Sequence, residues 1–451
     1  MRDAALALRD TGGRFDRGDA GRDLATRWLG RAVAIRAILY AAILFNAVLA
    51  VVNANGVTLS SGVVIGVEGL LLMAALAFGI DGRRPEKTKW VLLCGLIVSF
   101  NLVNGLGSGA LDPKFIRDVL IIPVFILLGL SSREGDLLRC VTVLQVVVLA
   151  VMLFEAIRPE QFGRVFSVMN YYINTRGFQA ESFWNENSDL FVSATRPGER
   201  FLFAFLNIHR LSSVFLEPVS LGNYCVIVAM VVAVLWTRLT VARRLFFCVS
   251  EFAILVGCDG RFATVSIVLL VGLRIAAPVL PRYSNWLYLP GILLVSGAAV
   301  TLLHLSPMGD DFPSRTAGSI LALSRVPPAG LLGFLGPVSY TVMDSGIAYL
   351  VYSQSVIGTA LIWSFVAFGM PQNSRVARAL LHMTCLYVTL NLLISYSVFS
   401  IKTAALLWFA YGHVARHAAV PARRPAAPRH DPRSAASLPR WSEPAAAGFD
   451  A

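Results

Sequence analysis

The residues best able to do chemistry in this chain fall in three short segments. The first is HRLSSVFLEPVSLGNY at 209–224, where Arg210 precedes Glu217 by seven positions. Pro218 suits the first turn of a helix, where its missing N–H costs nothing. Glu217 then stands at the helix start, and the positive end of the dipole favours its ionised form. Gly222 and Asn223 allow close backbone approach, and Tyr224 follows with a phenol. An Arg and a Glu so placed suit either a local salt bridge or a pair of groups offered to a substrate. The second segment is Cys258-Asp259-Gly260-Arg261-Phe262, in which Asp-Gly marks a tight turn. Arg261 opens the next helix, where a cation opposes the dipole, so an anion must compensate. A diphosphate, Asp259 or a phospholipid headgroup would each serve. The third is GPVSYTVMDSGIAYLVYSQSVIG at 336–358, with Asp344, Ser345 and Gly346 opening a helix. Asp344 suits an N-cap. Tyr349 and Tyr352 follow it by five and eight positions, close to one helical face, where they also fit the role of interfacial aromatics.

The elements that must position these residues are apolar spans. Of 451 residues, 56% are hydrophobic and 15% charged, with mean hydropathy +0.66. A soluble domain carries about a quarter charged residues, so lipid is the expected solvent. Runs of membrane-spanning length lie at 33–53, 58–80, 89–107, 116–131, 138–157, 217–237, 243–258, 262–280, 285–304, 342–369, 377–396 and 398–413. The last two are separated by only a few residues around Ser397 and Lys402, so a single broken or re-entrant helix is the alternative. The expected fold is all-α, a polytopic membrane protein of about twelve transmembrane helices.

Arg and Lys alternate between loops. Arg2, Arg9, Arg14, Arg17, Arg22, Arg27 and Arg31 precede the first span; Arg83, Arg84, Lys87 and Lys89 fill the second loop. Arg238, Arg243 and Arg244, then Arg375 and Arg378, then Arg416, Arg423 and Arg424 continue the series. The odd-numbered loops hold few cations, chiefly Lys114 and Arg261. The positive-inside rule then puts both termini in the cytoplasm. The net charge of +12 follows from this pattern rather than from nucleic-acid binding. No secretory signal peptide is evident in the first 30 residues. The expected organisation is a cytoplasmic segment over 1–30, a membrane domain over 31–414 and a disordered cytoplasmic tail over 415–451, rich in Pro, Ala and Arg. The six cysteines all fall in apolar runs without a C-x-x-C pair and read as packing residues, so no metal is expected.

Two connections are long, about 158–216 and 305–341, and the topology puts both on the extracytoplasmic face with all three candidate segments. The second has the pattern of a short amphipathic helix over 314–326. Trp, Tyr, Arg and carboxylates in such loops suit a polar or sugar substrate. Arg36, Glu68, Glu251 and Lys402 fall inside spans. Each costs roughly 2.5–3.5 kcal/mol there on insertion scales, so interhelical Glu–Arg or Glu–Lys bridges are expected, or an ion path.

RLSSVFLEPVSLGNY resembles the segment after the large loop in Wzy-type bacterial polysaccharide polymerases, which are related to O-antigen ligases. Asp344-Ser345-Gly346 with Tyr349 and Gly358 is similar to a pattern late in the same proteins, and the two unequal loops match their plan. The resemblance covers residues 30–415 in topology and about 40 residues in motif, and looks closest to exopolysaccharide polymerases of the xanthan-like kind. It implies a metal-independent glycosyltransferase of the bacterial inner membrane, with no cofactor. The implied substrate is an undecaprenyl-diphosphate-linked oligosaccharide repeat unit. Membrane lipids, a flippase and chain-length or export proteins are the implied partners. Arg210 and Arg261 match the family's loop arginines and are assigned to the diphosphate. Glu217 or Asp344 is assigned to the attacking hydroxyl; Asp259, Tyr224, Arg325 and Tyr349 are candidate substrate contacts. Arg325 and Gly336 meet the family spacing of Arg, ten residues, Gly, whereas Gly222 lies twelve beyond Arg210. The late-loop His of the ligases has only His304 as a counterpart, which favours polymerase over ligase. A lipid-linked-sugar flippase is the rival from another class, and a non-catalytic scaffold a third; a flippase favours internal repeats and broken helices.

Overall fold

Each of the twelve apolar runs becomes a helix in the computed structural model, which describes residues 17–82, 84–109, 111–179, 189–194, 200–206, 208–309, 311–334 and 345–419. In chain order the first helices are α1 (Arg17–Ala54), α2 (Ser61–Ile80), α3 (Pro85–Ser108), α4 (Pro113–Ser131) and α5 (Asp136–Ile157). Two short ones follow, α6 (Pro159–Phe166) and α7 (Val168–Arg176), then α8 (Pro218–Leu235), α9 (Val241–Cys258), α10 (Arg261–Ala276) and α11 (Tyr288–Leu302). The series closes with α12 (Phe312–Ser324), α13 (Pro328–Leu331), α14 (Gly346–Phe368), α15 (Arg375–Leu392) and α16 (Ile401–Ala419). The described residues contain no strand.

Among the described residues, seven helices are long and apolar enough to cross a membrane: Gly30–Ala54, Ser61–Ile80, Pro85–Ser108, Asp136–Ile157, Pro218–Arg238, Ser284–Leu302 and Gly346–Phe368. The chain is therefore an all-helical multi-pass membrane protein. Among the remaining runs, α10 has 16 residues, and α4 carries Lys114, Arg117 and Asp118 in its first two turns. Large apolar side chains such as Leu70, Leu106, Ile275 and Leu294 are exposed, as expected of surfaces solvated by lipid rather than water. The last apolar region is two helices, not one, separated by a turn that includes Ser397–Phe399. Helix α16 continues to Ala419, past the boundary expected at 415; residues 420–451 and 1–16 lie outside the described residues.

The centre of the bundle is α4 against α16. Residues Ile121 to Leu130 of α4 are buried on every side, and Trp408, Phe409 and Tyr411 of α16 are fully enclosed. A helix that is apolar all round must be covered all round. Glycines permit the contact: a Cβ at Gly412 would collide with the Ile126 carbonyl, and one at Gly129 with the Phe409 carbonyl. Small residues let two membrane helices meet backbone to backbone.

Both long connections contain helices. The first contains α6, which packs on α1 and α5, and α7, which packs on α1 and α2. The second contains α12, the helix expected over 314–326, resting on α11 and α14.

Candidate functional site

The segment 209–217 owes its course to one buried carboxylate. Glu155, at the end of α5 and 0% exposed, accepts hydrogen bonds from Ser212 N (2.9 Å), Ser212 Oγ (3.0 Å) and Ser213 N (2.6 Å). His209 Nε2 lies 3.3 Å from it. Ser213 and Leu216 adopt left-handed conformations (φ 51° and 61°) around a single 3-10 turn. Non-glycine residues visit that region rarely and at a cost, which the surrounding bonds must meet. The chain then enters α8 with Glu217 at the N-cap position and Pro218 at the first turn.

Around this entry lie two polar regions. The first is a cleft of about 220 Å³, lined by Arg210, Arg261 and Arg315 together with Gly222, Asn223 and Phe312. Two of the sequence-predicted residues, Arg210 and Arg261, thus meet on one surface. Arg210 is 5% exposed; its Nε donates to Cys258 O (3.0 Å) and its Nη1 to Ser193 O (3.2 Å). It fastens the 193–194 segment to the carboxyl end of α9, where a cation suits the dipole. Arg261 is the first residue of α10 and is exposed, its guanidinium carbon 5.9 Å from the Phe201 ring centre. Arg315 donates from α12 to Ile394 O (3.2 Å). No carboxylate lines the cleft among the described residues.

Asp259 does not neutralise the cleft. Its carboxylate accepts from Phe201 N (3.1 Å) and Leu202 N (2.8 Å), and its left-handed backbone (φ 49°) ends α9. Asp311 stands at the rim as the N-cap of α12. Hydrogen bonds from Ser314, and more weakly the charge of Arg261, hold its carboxyl below the ordinary range. The cleft also has apolar walls: Val219 and Val265 line it while remaining 39% and 50% exposed on the helix surfaces. Farther along α8 and α10 a separate groove of about 520 Å³ lies between them and α9, lined by Val232, Val271 and Ile275 together with Glu251 and Arg274.

The second region is an ionic lattice. Glu217 binds Arg176 Nη1 through Oε1 (2.7 Å) and Lys402 Nζ through Oε2 (3.0 Å), and it accepts from Ser220 Oγ (2.7 Å). Lys402 also reaches Phe215 O (3.1 Å) and Tyr172 OH (3.3 Å). Burial pushes the Glu217 carboxyl up, but Arg176, Lys402 and Ser220 outweigh it and hold the group well below the carboxylate range. Arg176 is held charged in return: burial opposes its charge, and Glu217 and Tyr172 more than restore it. Beyond lie Glu68 on Arg117 (2.6 Å), Arg117 on Asp118 (2.7 Å) and Lys114 on Asp118 (3.0 Å). Tyr349 OH donates to Asp118 Oδ2 (2.6 Å), and Lys114 Nζ lies 3.1 Å from the same hydroxyl.

The remaining candidates lie apart. Tyr224 is 2% exposed and donates to Gln145 Oε1 (3.0 Å). Gln145 in turn donates to Ser250 and Glu251. Arg325 is exposed at the carboxyl end of α12 and does not line the cleft. Asp344 and Gly336 lie outside the described residues. Of the charges expected to pair within spans, Glu68 and Lys402 do so as above, and Arg36 meets Asp136 at 3.4 Å. Glu251 instead accepts from Gln145 and Cys225.

Sequence reasoning passed over Arg117, Asp118, Glu155, Arg176 and Arg315. The first three had a legible signal, a charge inside an apolar run, the same that singled out Glu68. Arg176 and Arg315 sat in long connections among other polar residues and carried none. No family model, curated protein or solved structure matches this chain.

Proposed function

We propose that this chain is a membrane-embedded glycosyltransferase that polymerises oligosaccharide repeat units carried on a polyprenyl diphosphate. The observation that carries the reading is the cleft: three guanidinium groups, no lining carboxylate among the described residues, and apolar walls that include the exposed Val219 and Val265. The amino ends of α8 and α10 both border it, and each adds partial positive charge. A site both cationic and open to lipid suits an amphiphile with a diphosphate head and a hydrocarbon tail. The groove along α8, α9 and α10 suits the tail.

In this reading the anomeric C–O bond to the donor's diphosphate breaks as the acceptor's hydroxyl oxygen bonds to the same carbon. Charge grows on the departing diphosphate, and Arg261 and Arg315 stabilise it with Arg210 fixed behind them. The hydroxyl's proton passes to a base, for which Asp344 is the candidate from sequence. Glu217 is reassigned: a carboxylate pinned by two cations is a poor proton acceptor, and its part is to hold Arg176 and Lys402 beside the acceptor.

The proposal includes twelve spans, cytoplasmic termini, an inner-membrane location and an extracytoplasmic cleft. Basic residues Arg31, Arg84, Lys87, Arg133 and Arg416 gather at the other end of the bundle, as the positive-inside rule requires of the cytoplasmic end. Deletion of the gene is expected to leave single lipid-linked repeats on the outer leaflet and no polymer. Arg261→Ala, expressed at normal level in the membrane, is expected to give the same pattern.

One observation favours the flippase reading. Helix α14 is interrupted at Ser355 (φ 64°, ψ 170°), next to fully buried Gln354, whose amide nitrogen and oxygen have no hydrogen-bond partner among the described residues. Transporters use such breaks. Repeat units trapped on the cytoplasmic leaflet after deletion would select this reading and remove the catalytic one.

A further inference from the structure

At the end of the bundle opposite the cleft, a second polar cavity has no part in glycosyl transfer. Helices α4 and α16 both run from the ionic lattice to this end: α4 from Lys114 and Arg117 to Ser131, α16 from Lys402 to Arg416. The cavity measures about 260 Å³, and its lining includes Arg31, Asp81, Arg84, Lys87, Arg133 and Arg416. Five cations therefore surround one carboxylate. They come from five places in the chain: α1, the α2–α3 turn, α3, the residues after α4, and the last turn of α16. Positive-inside loops scatter cations over a membrane face; here they converge on a concave surface.

Part of the arrangement is structural. Arg31 Nη1 lies 2.5 Å from the Asp81 carboxylate, and its Nη2 donates to Phe78 O and Asp81 O (3.1 Å each). Lys87 Nζ donates to Asp81 O (2.5 Å), and Arg416 donates to Ser132 O. These cations sit on the carboxyl ends of α2 and α4, where the dipole favours them. That role accounts for three of the five. It does not account for Arg84 and Arg133, whose side chains face the same cavity and make no hydrogen bond or ion pair among the described residues. Arg133 is half-buried there. A partly enclosed guanidinium among like charges is unfavourable unless an anion joins it.

Depth points to the anion's class. Arg31 follows the first residue of the span Gly30–Ala54, Asp81 follows the span ending at Ile80, and Arg84 precedes the span starting at Pro85. Three span ends meet at the cavity, so it lies at the level of the headgroups. Planar guanidinium groups match phosphate oxygens in pairs. We propose that this cavity binds a phosphate-bearing anion, the headgroup of an anionic phospholipid of the surrounding leaflet, through Arg84 and Arg133. The inference is independent of the glycosyltransferase reading.

The test uses the full chain in nanodiscs of mixed phosphatidylethanolamine and phosphatidylglycerol, with lipid retention read by native mass spectrometry. Two double variants of equal charge are compared: Arg84→Gln/Arg133→Gln in the cavity, and Arg243→Gln/Arg375→Gln in the first turns of α9 and α15. Neither cavity residue bonds to the fold, so the first variant is expected to stay assembled. The wild type and the loop variant are expected to retain phosphatidylglycerol. The cavity variant is expected to hold it about thirtyfold more weakly, from the usual contribution of two cations at a membrane surface. A soluble source is separated by adding pyrophosphate to the protein in phosphatidylethanolamine alone. A rise in thermal midpoint there, absent in the cavity variant, would keep the phosphate site but assign it to a free anion. Equal loss of lipid in both variants would mean general surface charge and overturn the site. So would unchanged retention in the cavity variant with no pyrophosphate effect.

Discussion

The cleft and the ionic lattice flank the same helix entry, yet they spend their charges differently. In the lattice every cation meets a carboxylate: Arg176 and Lys402 share Glu217, Arg117 binds Glu68 and Asp118, and Lys114 binds Asp118. In the cleft Arg210 and Arg315 donate to backbone carbonyls among their contacts, Arg261 stands beside the Phe201 ring, and no acid lines the wall among the described residues. Paired charges tie helices together; cations that line a concave surface are also placed to meet a ligand. The difference teaches where to look for substrate in a membrane protein, because both regions look alike as lists of polar residues.

Substitutions divide accordingly, and the largest effect belongs to the cleft. Arg261→Ala should lower polymer formation about 100-fold or more, the usual cost of a group that stabilises developing charge, while membrane abundance and thermal midpoint stay as in the wild type. An equal fall in stability would erase the contrast. Glu217→Gln should do the reverse, costing roughly 3–5 kcal/mol because Arg176 and Lys402 lose a buried partner; thermal unfolding of the purified protein measures it. A smaller effect sharpens the same point. Because the folded protein holds the Glu217 carboxyl below its ordinary range, its stabilisation is complete above the unfolded value of about 4.3. It is lost as pH falls through the folded value. Midpoints recorded from neutral to acid should therefore converge for wild type and Glu217→Gln below that pH; curves that stay parallel would remove Glu217 from the account. The smallest effect is expected for Arg325→Ala, since Arg325 is exposed outside the cleft, and polymer yield should stay within about twofold, in the range of ordinary surface substitutions.

Much of the fold was legible because lipid imposes a simple rule: apolar runs of sufficient length become helices. All twelve did, including the pair around Ser397 whose separation stood open. The long connections were harder. Their packing into α6, α7 and α12 depends on contacts with helices distant in sequence, such as α6 on α1. At the site, Arg210 and Arg261 were readable from local context, a turn before a helix start, and they do share a surface. Glu217 was readable as an N-cap but not as the partner of Lys402, 185 positions away. Of the two roles open to Arg210 and Glu217, the local bridge gives way to these longer ones. Tyr224 illustrates the opposite limit: a phenol next to a motif, it turns into the protein to meet Gln145. Periodicity says which face a residue occupies and leaves open whether that face meets substrate or another helix.

The central claim, that the arginine cleft drives sugar transfer from a lipid diphosphate, is tested most directly by reconstitution. Purified protein in liposomes would be given a polyprenyl-diphosphate-linked oligosaccharide repeat unit, and products separated by size. The account predicts a ladder of polymer with the wild type and only single repeats with Arg261→Ala. Equal ladders from both proteins would contradict it.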